Sequence, residues 1–359
     1  MRQTLTINTN LQKYTVTTES GLFKRLGNTL ANLFPGKKIA VITDETVMSI
    51  YEEELRNQLD SADINWTLIS LPPGEDSKSF HVLPDLYSKL LDFQLTRGDV
   101  ILAFGGGVIG DIAGFTAATF LRGVSLIQVP TTLMAMVDAS IGGKNGANLP
   151  EGRNLAGTFY QPQEVFIDPN FVRTLPDEIF EDGMAEVIKY GCVFDADLFS
   201  DLMDRASKND GSGIESIIYR CCLIKKQIIE LDCRDYGIAM LLNFGHTFGH
   251  CIEDYYPEGT YSHGEAVAIG MYTTALAGER AGLTAPNTAT LLKKLLSAYE
   301  LPYELPSDAD IQKISETVKH DKKRRGNQLN LVLLEKIGKG FLYQIEKTEY
   351  ADFIDYRIK

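Results

Sequence analysis

No stretch of the sequence is apolar for long enough to cross a membrane, and its start lacks a charged leader with an apolar core and a cleavage site. A soluble, cytoplasmic protein with no membrane partner is expected. Cysteine is scarce: Cys192, Cys221, Cys222, Cys233 and Cys251 form neither a CxxC pair nor a regular framework, which points to thiols in a reducing compartment. An excess of basic residues is also missing. The 35 Lys and Arg against 48 Asp and Glu leave a net charge of -13, which argues against nucleic acid as the main partner. The basic residues in the glycine-rich blocks stand out against this acidic background and suit a small anionic substrate. Internal repeats and low-complexity segments are absent. What is present, 359 residues with 44% hydrophobic content, can bury substantial cores and favours two domains or one large one.

The first half alternates strand and helix patterns. YTVTT alternates, SGLFKRLGNTLANLF has helical spacing up to Pro35-Gly36, and KIAVITDE reads as a strand with polar residues at its carboxyl end. A helix over 51–59, a strand over 65–71, a turn over 72–79 carrying Glu75 and Lys78, and a helix over 80–91 follow. VILAFGGGVIGDIAGFTAATF combines a buried strand, a turn at Gly105, Gly106 and Gly107, and a helix with Gly110, Asp111 and Gly114. Amides at that turn suit a pyrophosphate, but the run is not GxGxxG, so dinucleotide binding and a purely structural turn both stand. After the strand VSLIQV, Thr131 and Thr132 can cap a helix or meet ribose and phosphate oxygens. Asp138, Lys144, Arg153 and Asn154 are read as a loop too rich in glycine and charge for a core. EVFIDP is expected as the last strand, at the edge of this unit, with a domain boundary at Pro169.

Beyond residue 170 strand signals fade, and helical runs cover 184–190, 214–231, 241–255, 265–281, 288–299 and 308–319. A short strand over 329–334 and a glycine turn come next. The cluster Lys322, Lys323, Arg324 and Arg325 is either a solvated run or an anion clamp.

Chemistry-bearing residues concentrate in NFGHTFGHCIE, 243–253. In a helix His246 and His250 lie on one face, while Gly245 and Gly249 leave room for something bulky beside the backbone. His263 opens SHGEAVAIGM with Ser262 placed as a cap, so a third imidazole can converge on the pair. In GMAEVIKYG, Glu186 and Lys189 set a carboxylate beside an ammonium. One Glu with two His is a sensible zinc set with an open position; separate polar or core histidines are the alternative, because HxxxH without the glutamate of a zincin is a weak motif. Cys251 reads as a small packing residue rather than a ligand.

Taken in order, GGGVIGDIAGF, FLRGVSLIQVPTTLMAMVDASIGGK, GRNLAGTFYQP, GMAEVIKYG, LLNFGHTFGH and HGEAVAIGM closely resemble the 3-dehydroquinate synthase family over nearly the whole chain. The wider sugar phosphate cyclases, and more remotely the iron-dependent alcohol and glycerol dehydrogenases, share that architecture. The resemblance implies an α/β + α fold: an N-terminal Rossmann-like α/β NAD-binding domain over 1–169, then a mostly helical metal- and substrate-binding domain over 170–359. It assigns the metal, zinc or another divalent ion such as cobalt, to Glu186, His246 and His263. It assigns NAD to Asp44, Glu75, Lys78, Gly106, Gly107, Asp111, Thr131, Thr132, Lys144 and Arg153. Substrate falls to Asp138, Lys144, Asn154, Lys189, Lys225, Asn243 and His250, the last on the phosphate, with one of Lys322 and Lys323 closing over it. Arg122 matches an arginine that reaches into the partner subunit's site, which implies a homodimer. The implied reaction converts 3-deoxy-D-arabino-heptulosonate 7-phosphate to 3-dehydroquinate and phosphate. It runs through transient oxidation by NAD, phosphate elimination, re-reduction and intramolecular aldol closure, with no net redox change.

One departure bears on the substrate. Ala239 stands where the family usually has an arginine for the substrate carboxylate, and alanine cannot donate bidentate hydrogen bonds. Lys144, Asn154 or Arg234 can take over; a cyclase whose sugar phosphate lacks the carboxylate is the alternative. Cys233 and Glu178 replace a usual acid and a usual arginine. A metal- and NAD-dependent polyol dehydrogenase would share both domains without needing the phosphate set. A non-catalytic paralogue would be expected to lose the ligands this chain keeps.

Overall fold

In the computed structural model, which describes residues 2–208, 212–320 and 327–355, the chain opens with an antiparallel hairpin, β1 (Gln3–Asn8) and β2 (Lys13–Thr18). Alternating elements follow: α1 (Leu26–Leu33), β3 (Ile39–Asp44), α2 (Glu45–Ser61), β4 (Trp66–Leu71), α3 (Leu83–Asp92), β5 (Val100–Gly105), α4 (Gly107–Thr119) and β6 (Ser125–Pro130). A second hairpin, β7 (Lys144–Leu149) with β8 (Gly152–Phe159), precedes β9 (Glu164–Ile167). The main sheet has seven strands in the order β1-β2-β9-β6-β5-β3-β4, parallel from β2 onward. β5 is buried along its whole length and β3 nearly so, as parallel strands covered on both faces must be.

Two expectations for this region are corrected. β9 lies inside the sheet, between β2 and β6, because the opening hairpin adds strands beyond it. The segment read as a loop holds more order: Asp138 lies in a π-helical turn, Ala135–Ala139, while Lys144, Arg153 and Asn154 lie on the β7–β8 hairpin. Its glycines admit the close pairing of two thin strands, which a composition count cannot distinguish from a loop.

Glu164 opens β9. Burial pushes its carboxyl up to about 7, with Arg2 pulling the other way, whereas its ordinary value is 4.5. Native protein therefore holds an extra proton between those values, and stability declines as pH rises across that window. Glu164→Gln is expected to raise the urea midpoint at pH about 8 and leave it unchanged at about 4, by about 1 kcal/mol after solvent screening. Equal shifts at both pH values would refute the assignment.

The remaining elements are α5 (Asp177–Val193), α6 (Ala196–Lys208), α7 (Ile214–Leu231), α8 (His246–Tyr255), α9 (His263–Arg280), α10 (Thr288–Ala298), α11 (Ile311–Glu316), the hairpin β10 (Gln328–Lys336) and β11 (Lys339–Glu346), and α12 (Tyr350–Ile354). The chain divides into two compact units, residues 1–176 with 214–234, and 177–213 with 235–359. A single boundary after Pro169 therefore misplaces α7. Its apolar face, including Ile217, Ile218, Cys221 and Ile228, packs in the first unit against β1, the π-helical turn and the 3-10 segment Pro169–Thr174. The second unit is mostly helical. Sequence patterning did not single out α6 or β11. The helical run expected over 241–255 is also broken: a 3-10 segment, Ile238–Asn243, ends before Gly245, whose φ of 80° starts α8 afresh. Among the described residues no helix is long and apolar enough to cross a membrane. The five cysteines are buried, with Cys251 packed among Phe248, Ile252 and Ile269.

Candidate active site

In the first unit, the carboxyl ends of β3, β5 and β6 bring Asp44, the glycine turn and Thr131 to one end of the sheet, where ligands of open α/β folds bind. Gly106 caps α4 without a side chain, so the first-turn amides and the positive end of the helix dipole suit phosphate oxygens. A Cβ on Gly106 would come within 3.1 Å of Thr132 Cγ2, so any larger residue there would have to shift that side chain by a few tenths of an ångström. Around the turn, Lys78 pairs with Asp111 on α4. Glu75 accepts from Asn148 Nδ2 at 2.7 Å, and Asn148 Oδ1 accepts from the Asn154 amide at 2.8 Å, which ties the 75–78 turn to the β7–β8 hairpin. Asp44 caps α2 by accepting from the Val47 amide at 2.9 Å, and Thr132 Oγ1 accepts from Ala135 N at 3.3 Å, so capping by threonine is realised. Lys144 and Arg153 are exposed on the hairpin. A glycine cradle, a helix N-terminus and nearby acids and bases fit a dinucleotide.

Two further predicted residues meet in this unit. Lys225 of α7, which is buried, donates to the Asp138 carbonyl at 2.5 Å and to its carboxylate at 2.8 Å. Arg122 is exposed, with φ of 66°, directly after Leu121 at 50°. Arg97 donates to the Leu121 carbonyl from Nε at 3.0 Å and Nη2 at 2.6 Å, which holds a backbone that two successive left-handed residues would otherwise avoid.

In the second unit, Glu186, His246 and His263 place ligand atoms within 4.8 Å of one another. α5 carries Glu186, α8 carries His246, and His263 is the first residue of α9. A capping box fixes that start: Ser262 Oγ accepts from Glu265 N at 3.2 Å, and Glu265 accepts from Ser262 N at 2.8 Å. Lys189 donates to Glu186 Oε2, both side chains being only 2% exposed. The other oxygen, Oε1, is buried and has no hydrogen-bond partner, and it lies 3.4 Å from His246 Nε2. His246 Nδ1 lies 3.2 Å from the Phe244 carbonyl, which places the ring proton there and leaves Nε2 a bare acceptor. Burial, then the Lys189 ammonium, push His246 well below its ordinary value, so the ring stays neutral. Two lone pairs thus face each other, an arrangement that a divalent cation stabilises. Burial opposes charge on His263, but Glu253 raises it to about 8.

The ring of His250 lies 5.6 Å from that of His246 and 6.2 Å from that of His263, with its side chain exposed. Asn243 ends the 3-10 segment before α8, and Ala239 is buried in that same segment. Lys322 and Lys323, like Arg324 and Arg325, lie outside the described residues. The room left by Gly245 and Gly249 belongs to α9 rather than to a ligand. A Cβ on Gly245 would meet Met271 and the Val267 carbonyl, and one on Gly249 the Ala266 carbonyl at 3.1 Å.

The chain matches the 3-dehydroquinate synthase N-terminal family over residues 68–182 and the C-terminal family over 183–324. It is 45% identical to a 3-dehydroquinate synthase of Clostridium beijerinckii, covering 97% of this chain and 99% of that one. The chain belongs to the 3-dehydroquinate synthase family. It is accordingly an enzyme of that lyase family. Among solved structures, 2-epi-5-epi-valiolone synthase from Streptomyces hygroscopicus, with NAD+ and Zn2+ bound, matches at TM-score 0.85 and 26% identity over 95% of each chain. A 2-deoxy-scyllo-inosose synthase complexed with carbaglucose-6-phosphate, NAD+ and Co2+ shares the fold at TM-score 0.88 and 24% identity, over 98% of this chain and 99% of that one.

For this family member, sequence reasoning passed over three side chains at these sites. Asp182, one turn before Glu186 on α5, accepts from Ser262 Oγ at 2.6 Å and from the Gly264 amide. Glu253, on the α8 helix of His246, lies 3.4 Å from His263 Nδ1. Asn148 bridges Glu75 and Asn154. Helical spacing from Glu186 and His246 signals the first two; nothing in the sequence signals Asn148.

Proposed function

We propose that this chain is a 3-dehydroquinate synthase that converts 3-deoxy-D-arabino-heptulosonate 7-phosphate to 3-dehydroquinate and phosphate. The observation carrying the metal reading is the unpartnered Glu186 Oε1 facing His246 Nε2. Glu186, His246 and His263 would hold zinc, and Asp44, Glu75, Lys78, Gly106, Gly107, Asp111, Thr131, Thr132, Lys144 and Arg153 would hold NAD. When bound, the metal supplies Lewis acidity toward a substrate hydroxyl and NAD a reversible hydride acceptor. Lys189, paired with Glu186, offsets the carboxylate's charge and orients it. Lys225 holds Asp138 in place, so that this pair positions hydroxyl groups rather than moving free protons. His250, with its exposed imidazole, takes the phosphate together with one of Lys322 and Lys323; Asn243, Lys144 and Asn154 orient the substrate. The reading includes a cytoplasmic homodimer in which Arg122 of the partner subunit completes each site.

The test incubates zinc-loaded protein and NAD with 3-deoxy-D-arabino-heptulosonate 7-phosphate. Phosphate and 3-dehydroquinate are expected in equal amounts, followed by mass spectrometry, without net NADH; steady NADH accumulation would refute the cyclase reading. Ala239 favours one second reading, a cyclase whose sugar phosphate lacks the carboxylate. Failure with verified holoenzyme, together with turnover of sedoheptulose 7-phosphate, would decide for it.

A further inference from the structure

We propose that Glu253 is a positioning residue of the metal centre, taking the Nδ1 proton of His263 so that Nε2 is the nitrogen that ligates. The inference rests on the reading of Glu186, His246 and His263 as that centre. Glu253 Oε1 lies 3.4 Å from His263 Nδ1, and its side chain is only 10% exposed. A histidine that ligates through one nitrogen needs an acceptor for the proton on the other, and a carboxylate both fixes the tautomer and makes the ring more basic.

Each ligand then has its own outer partner: Lys189 for Glu186, the Phe244 carbonyl for His246, and Glu253 for His263. Asp182 completes the frame. Its carboxylate holds both Ser262 and the Gly264 amide, so the first turn of α9 is tied to the helix that bears Glu186.

A competing arrangement exists, since His250, Glu253 and His263 also gather ligand atoms within 4.8 Å. Two observations disfavour it as the metal set. His250 is exposed, whereas the buried, unpartnered acceptor belongs to Glu186. Glu253 Oε1 is already directed at a ring nitrogen.

The test uses the full chain, Glu253→Leu and Glu253→Gln. Zn2+ affinity is measured by competition with a chromophoric chelator, coordination by the visible spectrum of the Co2+ form, and the His263 tautomer by long-range proton–nitrogen correlation. Glu253→Leu is expected to weaken Zn2+ binding about 10- to 100-fold, and Glu253→Gln less, because its amide oxygen still accepts the proton. In the Zn2+-loaded wild type His263 should carry its single ring proton on Nδ1, and the cobalt spectrum of Glu253→Gln should match wild type. Unchanged affinity in both variants, a proton on Nε2, or a cobalt spectrum reporting a lost ligand would overturn the proposal. If Glu253→Leu does not fold, the glutamine variant and the wild-type tautomer decide. A wild-type protein that takes up no Zn2+ would remove the metal-centre reading and this inference with it, whereas tight wild-type binding with both variants unaffected removes only this inference.

Discussion

Glu186→Gln is expected to lower Zn2+ affinity more than about a hundredfold, because loss of an outer-shell partner alone costs about 10- to 100-fold. Formation of 3-dehydroquinate should fall about 1000-fold or more, since several kcal/mol of charge stabilisation depend on the metal. The amide keeps the shape of the carboxylate, so packing around α5 survives. What changes is charge: the Lys189 ammonium, 2% exposed, loses its counter-ion. That costs about 3 kcal/mol of stability, the usual penalty for breaking a buried pair from one side. A second substitution, Lys189→Met, separates the two effects. The double variant should recover stability and keep the weakened Zn2+ affinity. Wild-type Zn2+ affinity in Glu186→Gln would sink the metal assignment.

The second large effect lies where no ligand is involved. Gly270 on α9 faces α8, and a Cβ there would come within 2.0 Å of the Gly245 carbonyl oxygen. No side-chain rotation relieves a clash with backbone, so the two helices must separate. Gly270→Ala is expected to destabilise the protein by about 3 kcal/mol, at the upper end for overpacking. Because Gly245 immediately precedes His246, and His263 starts α9, the same displacement should weaken Zn2+ binding. Urea denaturation and chelator competition on one sample check both. An unchanged urea midpoint would show that α8 and α9 do not approach this closely.

Local chemistry was legible in the sequence because helical geometry repeats over a few residues. The spacing of His246 and His250, the pairing of Glu186 with Lys189, the cap at Ser262, and the glycine turn before α4 were all readable, and all four appear in the structure. The resemblance carried by the ordered motifs identified the family over nearly the full length.

Tertiary structure alone decided the rest. β9 lies inside the sheet because the β1–β2 hairpin pairs beside it, a contact between residues far apart in sequence that leaves no mark on EVFI. α7 belongs with the first unit because its apolar face meets β1, although its periodicity would suit any apolar surface. Gly245, Gly249 and Gly270 are small so that two helices can touch, whereas in sequence Gly245 and Gly249 read as room for something bulky beside the backbone. His263 lies at the junction of two possible ligand sets, and the buried, unpartnered oxygen of Glu186 favours one of them. Spacing determines which side chains share a face; whether an acceptor on that face already has a donor depends on everything packed against it.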